Sequence, residues 1–209
     1  MILLPSSFCP SVGYLALISA AEAGKVGIDL SEPYRKQTLR NRALLMTAGG
    51  IEPFTVPVAK FGYPPPPVSE ITISEHGDWR HKLEHALRSG YGMTPFWDHF
   101  ESEIRALIFD RRDTSLAGFN AKWLYWLCAK WDLVPPSPVY SVGEGTRRFT
   151  LEALAAAPGE RYWQIFEEKY GFTPGLSALD LLLSEGPYAV TYLRRLGLKL
   201  LSSPPSPAH

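Results

Sequence analysis

The sequence predicts an α/β fold, with a small mixed β-sheet, an N-terminal β-α-β start and a helical C-terminal half. Three observations predict it. Short apolar runs bounded by Pro, Gly and Ser crowd the first 75 residues, as strands do. A helix-period stretch at residues 11–22 separates two of those runs, the pattern of a β-α-β unit. From residue 78 onward the apolar spacing becomes helical.

Taken in order, "ILL" at residues 2–4 is the first strand, closed by Pro5, Ser6 and Ser7. In the helix that follows, Tyr14, Leu17, Ile18 and Ala21 share one face. "KVGIDL" (25–30) returns as a strand, and "TLRNRALLM" (38–46) and "FTVPV" (54–58) are two more. The last of these ends near Pro57 because proline donates no ladder bond. Four consecutive prolines in "FGYPPPPVSE" (61–70) favour a stiff extended connection, and "ITIS" (71–74) alternates like a half-exposed strand.

Asp78 caps a helix predicted to run to about residue 89, and Pro95 opens one running through 108. Residues 115–131 form an aromatic-dense helix, and a further helix is expected over 148–156. The last two, 176–184 and 187–200, are divided by Gly186 as a stop and Pro187 as a start. A single domain over 1–201 is expected, with "SSPPSPAH" (202–209) as a disordered tail.

Composition narrows the function classes. The chain has 209 residues, 45% of them hydrophobic, with 21 basic and 21 acidic side chains. At this length folding buries roughly 70% of the unfolded chain's surface, so no disulfide or metal staple is needed. Zero formal net charge argues against a nucleic-acid partner, whose binding rests on many phosphate contacts. Cys9 and Cys128 form no spaced motif, which suits a reducing compartment. The N-terminus lacks the basic region of a signal peptide, and "YLALISAA" is too short to span a membrane, so a cytoplasmic location is expected.

Several residues invite chemistry. "HKLEH" places His81 and His85 one helical turn apart with Glu84 beside them, an H-x-x-E-H zinc-hydrolase pattern for which no third ligand is identifiable. The same residues equally describe a polar helix face. Cys9 precedes a helix N-terminus, where amides can activate a thiol, yet a lone cysteine is more commonly a buried residue. The aromatics Phe119, Trp123 and Trp126 have the spacing of a core-facing helix, although stacked rings also line sugar pockets. The stretch "EPYRKQTLRNR" (32–42) carries Arg35, Lys36, Arg40 and Arg42. If it enters a strand, Arg40 and Arg42 share a face, and their forks match carboxylate or phosphate. Asp29 and Glu32 are close enough in sequence to answer them internally, and residue chemistry alone leaves the two readings even.

In this order, "FCPSVGYLALI", "IDLSEPYRKQTLRNR", "TVPV", "HGDWR", "YGMTPFWDHF" and "GFTPGLSALDLLLSEGP" resemble WbqC-like proteins, most closely the Bacteroidetes-type branch, over about residues 8–192. The resemblance implies that Tyr34, Lys36, Gln37, Arg40, Asn41, Arg42, Trp79, Tyr91, Pro95, Phe96 and Asp180 belong to the family signature. It also implies an acyl or aminoacyl (glycine-type) transferase acting on an amino sugar or nucleotide-linked sugar, in O-antigen or other surface-polysaccharide biosynthesis. Leu83 stands where many members carry histidine.

On that reading Tyr34, Lys36, Gln37, Arg40, Asn41, Arg42, Trp79 and Tyr91 bind substrate. His81 or His85 accepts the proton, and Asp180 orients that histidine or an arginine. The expected partner is a small molecule, a sugar nucleotide or acyl donor; no cofactor is implied. Two alternatives stand beside the transferase: a non-catalytic binding or assembly protein, and a zinc-dependent hydrolase.

Overall fold

A computed structural model describes residues 1–112, 114–143 and 145–202. Its centre is β1 (Ile2–Pro5), which pairs in parallel with β2 (Val26–Asp29) in the register Ile2↔Val26 to Pro5↔Asp29. The connection between them is α1 (Val12–Ala20). Every residue of β2 is buried, and Val12 to Ile18 of α1 are all buried too. A strand covered on both faces reads as a continuous apolar run rather than an alternation. The helix is likewise apolar all round, because both of its sides are covered.

Two short strands complete this sheet. β5 (Ser137–Val139) lies along β2 and β6 (Arg147–Arg148) along β1, both parallel, giving the order β5-β2-β1-β6. An antiparallel hairpin of β3 (Arg42–Thr47) and β4 (Gly50–Thr55) stands apart from this sheet. This hairpin belongs to the long crossover from β2 to β5, together with α2 (Trp79–Tyr91), α3 (Trp97–Phe109) and α4 (Leu116–Lys130). After β6 come α5 (Leu151–Ala155), α6 (Glu167–Tyr170), α7 (Ala178–Glu185) and α8 (Val190–Ser202).

The α/β architecture, its β-α-β start and its helix-rich C-terminal half are those the sequence predicts. Local assignments shift in instructive places. Arg148, placed at a helix start by sequence, is in a strand with Arg147, because Arg147 N–H donates to the Met1 carbonyl and Phe149 N–H to that of Leu3. The helix begins only past Thr150, whose hydroxyl accepts from Ala153 N–H. The strand expected from residue 38 starts at Arg42, so Arg40 lies in the preceding turn. "ITIS" makes only isolated bridges, Thr72 with Ser115 and Ile73 with Val58. Ser202 closes α8, and the rest of the expected tail, 203–209, lies outside the described residues.

The core gathers α1, α4, α7 and the inner faces of α2 and α3. Phe8 stacks on Phe119 and Trp123 meets both edge-on, with centroids 5.6 to 6.3 Å apart. The aromatic helix is therefore core, and Trp97 and Trp131 are buried as well. Gly197 lets α8 approach α1 closely: a Cβ there would stand 2.0 Å from the Ala16 carbonyl oxygen. Among the described residues no helix is long and apolar enough to cross a membrane.

Candidate functional site

The chain runs from β1 through β2 to β5 on one side, then crosses to β6 on the other, so the strand order reverses between β1 and β6. In parallel sheets a crevice opens outside the carboxyl ends of the strands at such a reversal. Here it is a cleft of about 600 Å³. Pro5 and Asp29 enter its lining from the ends of β1 and β2, Arg148 and Phe149 from the end of β6, Glu152 from α5, and Glu32, Arg35, Thr38 and Arg40 from the segment after β2.

Asp29 is 3% exposed and fully engaged. One carboxylate oxygen accepts from Ser31 N–H at 3.0 Å and Ser31 Oγ at 2.6 Å, and the other from Arg148 Nη1 at 3.0 Å. Arg40 is held as a fork, with Nε donating to Glu32 Oε1 at 3.0 Å and Nη2 to Oε2 at 2.7 Å, while Nη1 reaches Thr38 Oγ1. Its backbone is fixed from two elements. Asn120 of α4 donates to the Arg40 carbonyl at 2.8 Å, and Ser7, just after β1, donates to that of Leu39 at 3.0 Å. Arg35 is exposed at the cleft mouth and makes no ion pair among the described residues.

The expected pairing of Arg40 with Arg42 does not occur. Arg42, half-buried at the start of β3, is absent from the cleft lining, and its buried Nε has no hydrogen-bond partner among the described residues. It stands near Tyr34, whose phenol burial pushes up while the Arg42 and Arg40 charges oppose that shift. The guanidinium that joins Arg40 is Arg148, in the part of the chain read as a helix start. Glu32 and Asp29 do act as internal acids, one for each arginine.

The other expected site residues scatter. Asn41 holds the mouth of the β3–β4 hairpin, its Nδ2 donating to the Val56 carbonyl at 2.8 Å and its own carbonyl accepting from Val56 N–H. Gln37 occupies the left-handed region at φ 60° in the exposed turn between Arg35 and Arg40. Tyr34, Lys36 and Arg35 line a second, shallower groove with Phe61 and Tyr63. Trp79 is core, and its indole donates to the Ser74 carbonyl.

His81 and His85 are exposed on α2 and line no part of the cleft. His81 is engaged by Asp78, and Glu84 by Arg105 at 2.8 Å. Among the described residues no three His, Cys, Asp or Glu side chains come together as metal ligands, so the H-x-x-E-H pattern acquires no third donor. Leu83 faces the core, 1% exposed, so a histidine at that position would also point inward.

Asp180 is fully buried on α7 and meets neither a histidine nor an arginine. Its Oδ2 accepts from Tyr162 Oη at 2.7 Å and Gln164 Nε2 at 2.9 Å, with the Tyr91 hydroxyl adjacent. Burial pushes its carboxyl up to about 6, and these hydrogen bonds offset part of that rise. Tyr91 and Asp180 thus form one internal polar cluster, and Tyr91 ties it to β3 by accepting from Met46 N–H at 2.9 Å. Neither cysteine is an activated thiol. Burial raises Cys9 well above its ordinary value and pushes Cys128 up to about 12.

The chain belongs to the WbqC-like protein family, whose pattern matches residues 6–142. It is also similar to a protein of Mycobacterium tuberculosis (strain ATCC 25618 / H37Rv) described as "Uncharacterized protein Rv1507c". The two are 25% identical over 232 residues, covering 92% of this chain and 96% of that one. No solved structure matches. The family match takes in the Asp29, Glu32, Arg35 and Arg40 wall of the cleft and ends before Arg148 and Glu152.

Proposed function

We propose that this protein binds an amino sugar carried on a nucleotide in the cleft between β1 and β6, and transfers an acyl or aminoacyl group to its amine during surface-polysaccharide biosynthesis. The observation that carries the binding is the placement of Arg35, Arg40 and Arg148 around one cleft at the strand-order reversal. Guanidinium forks suit phosphate oxygens, while Asp29, Glu32 and Glu152 in the same lining suit an amine or sugar hydroxyls. A ligand bearing both charges is the natural complement to such mixed walls.

In the transfer, the sugar amine forms a C–N bond to the donor's acyl carbon, the bond from that carbon to the leaving group breaks, and a proton leaves the amine nitrogen. Among the described residues Glu152 is the lining carboxylate outside the Asp29–Arg148 and Glu32–Arg40 pairs, and it is our assignment for its acceptor.

Calorimetric titration with UDP-N-acetylglucosamine and with glucosamine 1-phosphate tests the binding. Arg148→Ala should weaken both by about tenfold or more, since a hydrogen bond to a charged group is worth ~1.5–3 kcal/mol. Unchanged affinity removes the cleft from the account. A second reading, a non-catalytic binding protein, is favoured by one feature: among the described residues no histidine or cysteine lines the cleft. Mass spectrometry of a UDP-linked amino sugar incubated with aminoacyl and acyl thioester donors separates the two readings. Binding without mass gain supports the second.

A further inference from the structure

We infer that the groove beside the cleft is a nucleobase platform, with the base lying against Phe61 and Tyr63 and the diphosphate passing Arg35 into the cleft. This rests on the reading of the cleft given above and deepens it by assigning a place to the base of the nucleotide. The groove encloses about 460 Å³ and is lined by Tyr34, Arg35, Lys36, Phe61, Tyr63 and Pro65. Arg35 lines both cavities, so a ligand that follows it from one reaches the other.

The chemistry of the groove is aromatic and cationic. Tyr63 is 95% exposed, leaving a large ring with both faces open to a stacking partner. Phe61 is held edge-on by Tyr34, with centroids 5.4 Å apart at 90°, and the Lys36 ammonium stands 4.7 Å from its ring centre. Among the described residues no acidic side chain lines the groove. Flat rings beside two cations suit a ligand that is flat at one end and anionic at the other, which describes a base with its phosphates.

The groove is also rigidly placed. Tyr34 N–H donates to the Pro66 carbonyl at 2.9 Å, Val68 N–H to that of Glu32 at 3.0 Å, and Pro33 bridges Pro67. The prolines from 64 to 67 fix their own φ angles. The backbone of the aromatic loop is therefore fastened to the segment that carries Glu32 and Arg35, and little backbone ordering remains to oppose binding.

The test titrates UDP, ADP, GDP, dTDP, UDP-N-acetylglucosamine and N-acetylglucosamine 1-phosphate into wild type, Tyr63→Ala, Tyr63→Phe and Arg148→Ala. Because Tyr63 contacts little of the fold, its replacement should leave the melting temperature unchanged. Tyr63→Ala should weaken the nucleotides by about tenfold or more and leave the sugar phosphate unaffected, while Tyr63→Phe, which keeps the ring, binds as wild type. Arg148→Ala should weaken both the sugar phosphate and the nucleotide sugar.

Nucleotide binding unchanged in Tyr63→Ala overturns the platform, and if Arg148→Ala still loses affinity the cleft reading stands without it. Equal loss of the sugar phosphate in Tyr63→Ala also overturns it, as would a wild type that binds the sugar phosphate but no nucleotide. A wild type that binds none of the six overturns both.

Discussion

Asp180→Asn should remove a specific pH dependence from the protein's stability. Asp180 ionises near pH 3.8 when unfolded and about 6 when folded, chiefly because burial disfavours its charge. A carboxyl raised in this way binds its proton more tightly in the folded state. Its contribution is therefore fully present below about pH 3.8 and is lost as pH rises through about 6. The gap of about two pKa units, at 1.36 kcal/mol each, amounts to about 3 kcal/mol. Asparagine keeps the shape, and its carbonyl can take the bonds from Tyr162 and Gln164 now accepted by Oδ2. Its amide would occupy the position of Oδ1, which has no hydrogen-bond partner among the described residues. Urea unfolding at intervals from pH 4 to pH 8 measures both proteins. The difference between wild type and variant should shift by about 2.5 kcal/mol across that range, since part of the effect is already lost at pH 4, in the direction that makes the variant relatively more stable at high pH. Any constant offset from repacking cancels. A difference that stays flat with pH would refute the claim that Asp180 is a buried, ionising carboxyl.

Other substitutions report on the packing and on the site. Gly197→Ala places a methyl 2.0 Å from the Ala16 carbonyl oxygen and 2.6 Å from the Ala20 Cβ. Despite alanine's better helix propensity it should lower stability by ~2 kcal/mol, read by chemical denaturation. Arg40→Ala strands Glu32, whose side chain is 16% exposed, and should cost about 3 kcal/mol, whereas Arg35→Ala stays within ~0.5 kcal/mol; equal melting temperatures would contradict this. The double variant His81→Ala with His85→Ala should keep wild-type ligand affinity and transfer, since neither ring lines the cleft; loss of transfer in the activity assay would restore a catalytic role to one of them.

What could be read from the sequence was local. The β-α-β start shows itself because a helix period interrupts two apolar runs within thirty residues, and Gly186, at φ 68°, ends α7 as its chemistry predicts; Asp78 does precede α2, but its carboxylate turns to His81 instead of capping the helix. The strands β5 and β6 do not show themselves. They are three and two residues long, one carries Pro138 and the other is Arg147–Arg148, and only pairing with distant strands makes them strands at all. Pro138 is tolerated because β5 is an edge. The cleft was half legible for the same reason. "EPYRKQTLRNR" advertises its arginines, and Glu32 lies eight positions from Arg40, but Arg148 meets Asp29 across 119 positions. Nor does spacing reveal that Asn120, in an aromatic core helix, fixes the backbone of Arg40. A polar residue among core aromatics was the signal available for it.

The two internal ion pairs change what the arginines can offer a ligand. A guanidinium has five N–H donors, and Glu32 occupies two on Arg40 while Thr38 takes a third. The remaining donors are held in place, so hydrogen bonding to an anion there needs little further ordering, but the charge is largely neutralised by Glu32. Arg148 shares its charge with Asp29 in the same way. Arg35, at the mouth and without an ion-pair partner among the described residues, keeps its full charge facing solvent. Direction and attraction are therefore divided between residues. Arg35→Ala should produce the largest drop in the salt dependence of UDP-N-acetylglucosamine binding, because long-range attraction is what salt screens. Arg148→Ala should lower affinity with a smaller change in that slope. Calorimetry between 20 and 300 mM salt distinguishes them, and equal slopes for wild type and Arg35→Ala would mean that no phosphate passes the mouth of the cleft.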